Sequence, residues 1–138
     1  ARQQFPEQQY LLQEHVTPKI MDGLPAWFRI IYCLGEIYLC YWNTSTHIYT
    51  PVHAEAETRL GLASLREVTR RIACLCQLDL FSTEIALTEN DRLLVVDYVN
   101  DPIDLRLQSR AVDGVPDFIV ERIAARIVEE IKTNADGQ

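Results

Sequence analysis

The chain has 138 residues, 48% of them apolar, which is enough for one domain with a packed core. Its formal charge is −7 and its sequence pI about 4.9, which argues against nucleic acid or a membrane surface as partner, since either would call for a basic patch. No apolar run is long enough to span a bilayer, and nothing reads as a signal peptide.

Residues 1–9, ARQQFPEQQ, form a polar stub, and such a stub suggests a piece of a longer protein. Tyr10 to Val16 reads as a short strand stopped by Thr17-Pro18. Met21 to Pro25, with Gly23 and Pro25, reads as a loop. Trp27 to Cys33 is aromatic and β-branched, Leu34-Gly35-Glu36 turns it, and Ile37 to Trp42 returns, making the clearest hairpin in the sequence. Its aromatics (Trp27, Phe28, Tyr32, Tyr38, Tyr41, Trp42) are read as core and sheet packing rather than a base-stacking surface, because such residues favour pleated surfaces anyway.

Asn43 to His47 is a polar loop and Ile48 to Val52 a further short strand that Pro51 blunts. His47 and His53 flank it and read as loop histidines. Ala54 to Leu60 starts a helix that Gly61 interrupts. Ser64-Leu65-Arg66-Glu67 has the pattern of a capping box, followed by an apolar stripe of Leu65, Val68, Ile72, Leu75 and Cys76 to about Gln77. Arg66, Arg70 and Arg71 lie off that stripe and read as solvated. The cysteines are Cys33, Cys40, Cys74 and Cys76. The last two are spaced neither as a CxxC redox pair nor as a zinc knuckle, so the reading is four buried free thiols in a reducing compartment, the cytoplasm.

Leu80 to Leu87, LFSTEIAL, and the strand that opens at Leu93 form a second hairpin around Glu89, Asn90 and Asp91, which are turn formers. If Thr88 pairs with Leu93 across a four-residue loop, Glu84 lies directly opposite Asp97. Opposed side chains have Cβ atoms roughly 4.5–5.5 Å apart, where like charges repel. A hard divalent cation such as Mg²⁺, which takes oxygen ligands, would account for the pair. A loop one residue shorter puts Ile85 or Val96 there instead. The plainer alternative for Asp97-Tyr98-Val99-Asn100 is a strand running into a polar turn.

The loop Asp101 to Pro116 carries Asp104, Arg106, Arg110 and Asp113 without a regular period, and loops of this length are often functional. Gly114 and Pro116 introduce the last helix. Its stripe of Val120, Ile123, Ala124, Ile127, Val128 and Ile131 would contribute about 8–15 kcal/mol gross from its five large residues if fully buried. Asn134 to Gln138 reads as a frayed tail.

Taken in order, five segments resemble the C-terminal half of an ATP-grasp domain, as in carboxylate–amine ligases and the ribosomal-protein glutamate ligases. Leu11-Leu12-Gln13-Glu14-His15-Val16 is similar to the family's hinge strand. Trp27 to Glu36 is similar to the block in which an Arg opens a strand that turns at a Gly. The helix after Ser64 and the run Leu78 to Glu84 resemble the helix and strand leading to the first metal acid, and Val95-Val96-Asp97-Tyr98-Val99-Asn100 resembles the acid-and-Asn pair. The family usually has one residue between that acid and the Asn. Here Tyr98 and Val99 both intervene, so Asn100 joins Asp97 on one face only through a bulge or at the strand end.

The resemblance implies an α+β fold over residues 10–133: an antiparallel sheet of two hairpins plus a hinge strand, with two main helices on one face. It implies ATP and Mg²⁺ as cofactors, the cation held by Glu84, Asp97 and Asn100. Adenine would meet Gln13, Glu14, His15 and Val16. Arg29 and Arg106 would stabilise charge on phosphate or acyl-phosphate. No counterpart of the family's first half, with its phosphate-covering loop and lysines, is evident. The expectation is therefore a fragment, inactive alone, of a ligase that joins a carboxylate to an amine or thiol. The alternative is a non-catalytic module that keeps the fold and forms a homodimer through the face left open.

Overall fold

The computed structural model describes residues 7, 9 and 14–136. Two short strands come first, β1 (Ile20–Met21) and β2 (Leu24–Pro25). They are joined by Asp22 and Gly23 at φ 50° and 77°. Positive φ at both central residues is the mark of a type I′ hairpin, for which Asp-Gly is a preferred pair, so the stretch expected as a loop is a hairpin. Of the strand expected over Tyr10–Val16, residues 10–13 lie outside the described residues. Glu14 to Thr17 carry no strand; the chain first meets the sheet where Pro18 bridges Thr88 and Lys19 N–H donates to Leu87 O at 2.9 Å.

The main sheet has five strands: β3 (Trp27–Cys33), β4 (Glu36–Trp42), β5 (Tyr49–Pro51), β6 (Leu80–Leu87) and β7 (Leu93–Asn100). Their order is β5-β4-β3-β6-β7 and every pairing is antiparallel. The two expected hairpins are joined side by side through β3 and β6. Three helices complete the fold among the described residues: α1 (Ala54–Arg59), α2 (Ala63–Cys76) and α3 (Asp117–Asp136).

The two main helices, expected on one face of the sheet, lie on opposite faces. Phe28 and Ile30 of β3 pack with Leu39, Tyr41, Ile85 and Leu65 of α2. Ile31 and Cys33 point the other way and pack with Cys40, Trp42 and Ile119 and Ile123 of α3. The reason is visible in β3 itself. It carries large apolar residues at both parities, as strands covered on both sides do, so each face needs its own helix.

Three details of the helices also differ from expectation. α2 starts at Ala63 after Leu62, and no side chain caps it. Leu62 and Leu65 are anchored in the core at 2% and 0% exposure, which leaves Ser64 inside the first turn and Glu67 paired with Arg71 at 2.6 Å. Leu75 lies at the flank of the stripe in the last turn and is 83% exposed; Thr69 and Ala73 are buried instead. Arg66 is not free in solvent, since it pairs with Glu57 of α1 at 2.6 Å and donates to Ile37 O at 2.8 Å.

Only the first half of the α3 stripe is buried. Ile119 and Ile123 are in the core, whereas Val128 and Ile131 are largely exposed. The helix outruns the sheet: Arg126 already reaches Leu34 O, in the β3–β4 turn, at 3.4 Å. It continues through Asp136, so the first part of the expected frayed tail is helical. Among the described residues no helix is long and apolar enough to cross a membrane.

The cysteines divide evenly. Cys33 and Cys40 are buried, but Cys74 and Cys76 are exposed on α2, Cys74 because it lies opposite the buried stripe and Cys76 because it is the last residue of the helix. Burial pushes the Cys40 thiol up to about 12, far from the thiolate that reacts. A thiol-specific reagent should therefore modify two cysteines per native chain, at Cys74 and Cys76, counted by intact mass. Modification of all four before unfolding would contradict this packing.

Candidate functional site

The β6–β7 hairpin closes on Leu87 opposite Leu93, followed by Ala86 opposite Leu94 and Ile85 opposite Val95. Thr88 does not pair with Leu93 as expected; it begins a five-residue loop, with Thr88 N–H donating to Arg92 O at 3.0 Å. Continued unbroken, that register would put Val96 opposite Glu84. A register shift between Ile85 and Glu84 adds one residue to β7, and Glu84 faces Asp97 after all. A second shift, between Glu84 and Ser82, sets Asn100 opposite Ser82. Ser82 and Glu84 are two apart in β6 and share a face, so Glu84, Asp97 and Asn100 come to one side of the sheet. Thr83, buried on the opposite side, donates its Oγ1–H to Asp97 O at 2.8 Å and pins the irregular backbone in place.

On its other edge β6 pairs with β3, where Arg29 stands opposite Glu84. Arg29 Nη1 donates to Glu84 Oε1 at 2.8 Å, with the two side chains only 13% and 16% exposed. Trp27 Nε1–H donates to Glu84 Oε2 at 3.0 Å. The Arg29 guanidinium carbon lies 4.8 Å from the centre of the Trp42 ring, close enough for cation–π attraction. Arg29 Nε and Ser82 Oγ are buried on this face without a hydrogen-bond partner among the described residues.

Several of these residues line a cleft of about 1260 Å³. Trp27, Arg29, Glu84 and Asn100 line it; Asp97, half-buried beside Glu84, does not. Glu14, His15 and Val16 form one wall, while Gln13 lies outside the described residues. Trp42, His47 and Tyr49 form another. His47, expected as an isolated loop residue, stacks on Trp42 with centroids 5.4 Å apart and planes 3° apart. Burial pushes the Tyr49 phenol up to about 12, so it is a neutral donor at ordinary pH.

Arg106 reaches the cleft rim from the loop 101–116, which is far from loose. Its backbone N–H and Nε donate to the two oxygens of Asp104 at 3.0 and 2.7 Å, and Nη2 donates to Asp113 at 3.0 Å. The Arg106 backbone N–H, then its guanidinium, hold the Asp104 carboxyl below its ordinary value. The clamp is thus complete above the usual carboxylate range and is lost only as pH falls through that lowered value. Val115 N–H donates to Arg106 O at 2.8 Å, and Gln108 Nε2 donates to Tyr49 O at 3.0 Å. Gly114 lies so close that an added Cβ would sit 2.5 Å from Arg106 O. Gly114→Ala should therefore cost roughly 1–3 kcal/mol in a denaturant titration, with displacement of Arg106; an unchanged midpoint would contradict the close approach.

Glu84, Asp97 and Asn100 offer oxygen donors only, and the two carboxylates match the charge of a divalent cation. No group of three His, Cys, Asp or Glu side chains able to hold a metal occurs among the described residues; a third oxygen donor beside the two acids would have to be the Asn100 amide. Each Glu84 oxygen already accepts one hydrogen bond and keeps a further lone pair. The donor chemistry fits Mg²⁺. Sequence reasoning missed Trp27, Trp42 and Thr83 here. Two of these stood in plain view among the hairpin aromatics but carried no mark of facing a cleft.

Comparison of the chain with protein-family models, with curated proteins and with solved structures returned no match.

Proposed function

We propose that this chain is the Mg²⁺–ATP-binding half of an ATP-grasp ligase-like protein, which in its full form activates a carboxylate as an acyl-phosphate for capture by an amine or thiol. One observation carries the reading. Two separate irregularities in β7 bring Asp97 and Asn100 to the face of Glu84, where Glu84, Asn100 and Arg29 line a cleft and Asp97 lies beside it. Bulges that re-aim side chains are common next to active sites, and a sheet needs neither of these for its own stability. In this reading Glu84, Asp97 and Asn100 hold Mg²⁺, which supplies neutralisation of phosphate charge. Arg29 and the pre-set Arg106 take phosphate oxygens, and Glu14 to Val16 meet the adenine.

The two tryptophans both line this cleft. Their emission should change saturably when ATP is added with Mg²⁺; a flat titration through millimolar Mg²⁺–ATP would overturn the reading. A second reading, a non-catalytic module that pairs with another copy of itself, is favoured by the exposed Val128 and Ile131 of α3, at 49% and 63%. Sedimentation that shows only monomer at high concentration would remove it.

A further inference from the structure

Glu84 is held by two donors of different kinds, and the difference matters if a cation is to share it. Arg29 Nη1, at 2.8 Å from Oε1, carries a full positive charge. A dication on the same carboxylate would face that charge across a few ångströms, and like charges so close repel even with partial screening. Trp27 Nε1–H, at 3.0 Å from Oε2, carries no net charge and takes one lone pair of that oxygen. It can stay in place beside a cation bound to Glu84 without adding like charge. The strand register sets up the contact. Trp27 lies opposite Ala86, and Arg29 opposite Glu84. Trp27 and Arg29 are two apart and share a face, and both side chains reach Glu84 from it.

Arg29 is the donor with somewhere else to go. Its Nε is buried with no acceptor among the described residues, and the Trp42 ring beneath it supports the guanidinium without fixing it to one partner. A phosphate oxygen entering the cleft would meet that unmet need.

We propose that Trp27 is the positioning residue for Glu84: its indole N–H keeps the carboxylate aimed into the cleft while Arg29 exchanges Glu84 for a phosphate oxygen. This rests on the Mg²⁺–ATP reading given above. Partners of this kind, which orient a metal ligand through a hydrogen bond, are worth about 10–100-fold in metal affinity.

The test is the Mg²⁺ concentration that half-saturates the thermal shift at fixed ATP, in the unmodified chain and in Trp27→Phe, which keeps an aromatic ring and loses the N–H. The expected result is a half-saturating concentration raised tenfold or more, with the metal-free melting temperature within a few degrees of the unmodified chain. The same half-saturating concentration in both chains would overturn this proposal and leave the nucleotide reading standing. No Mg²⁺–ATP shift in the unmodified chain would overturn both. Should Trp27→Phe fail to fold, the indole ¹⁵N–H signal of Trp27 in the unmodified chain decides, assigned against Trp42→Phe. It should lie downfield of free indole and stay there on loading with Mg²⁺–ATP; its return to the free-indole position on loading would overturn the proposal.

Discussion

Phe28→Ala is expected to lower stability by about 3–5 kcal/mol, the range for removing a fully buried aromatic ring. Phe28 is 0% exposed, lies between Tyr41 and Ile85 in the sheet, and packs its ring 4.9 Å from that of Tyr41 beneath α2. Domains of this size have only about 5–15 kcal/mol in total, so the melting midpoint should fall by roughly 10–20 °C. Val128→Ala, on the exposed part of α3, serves as the control and should stay within about 0.5 kcal/mol of the parent. A loss of less than about 1 kcal/mol at Phe28 would mean that the α2 face of the sheet is not the closed core described here.

The two facing acids should behave in opposite ways. Glu84→Ala leaves the guanidinium of Arg29, 13% exposed, without its ion-pair partner, and should cost about 3 kcal/mol, since breaking a largely buried pair by removing one member strands the other charge. The Asp97 side chain makes no hydrogen bond or ion pair among the described residues; it only faces Glu84 across the ladder. Removing a like charge from that position relieves repulsion, so Asp97→Ala should leave the ligand-free chain as stable as the parent, or up to about 1 kcal/mol more stable. Urea titrations of both variants check this. A large loss at Asp97 would give that residue a structural role the packing does not provide.

This asymmetry was not legible in the sequence. The pairing of Glu84 with Asp97 was inferred from a hairpin closed by Thr88 and Leu93, whereas the hairpin closes one residue earlier and a bulge makes up the difference. Alternation and turn residues constrain register at the loop, but an inserted residue leaves no trace in the pattern. The spacing of Asp97 and Asn100 did give a sign, since two intervening residues put them on opposite faces of a regular strand. The α+β class and both large hairpins were readable because Trp27–Trp42 and Leu80–Asn100 have strand-like composition around clear turns. The placement of the helices was not. Amphipathic stripes show that a helix is covered, and only the double-sided burial of β3 shows that α2 and α3 lie on opposite faces. Leu75 and Ile131 fit their helical periods and are exposed because the helices run past the sheet, which depends on tertiary lengths that no local period carries. Asp22-Gly23 was a missed local signal, a type I′ turn pair read only as a loop former.

The central claim is that the Glu84 face of the sheet binds Mg²⁺–ATP. It is tested most directly by thermal melts of the chain with and without millimolar Mg²⁺–ATP, for the parent and for Asp97→Ala. A ligand at about 100 times its dissociation constant adds roughly 2.7 kcal/mol, several degrees for a chain of this length. The account predicts that shift in the parent and its loss in Asp97→Ala, with the two ligand-free midpoints nearly equal. Equal shifts in both chains, or none in the parent, would contradict it.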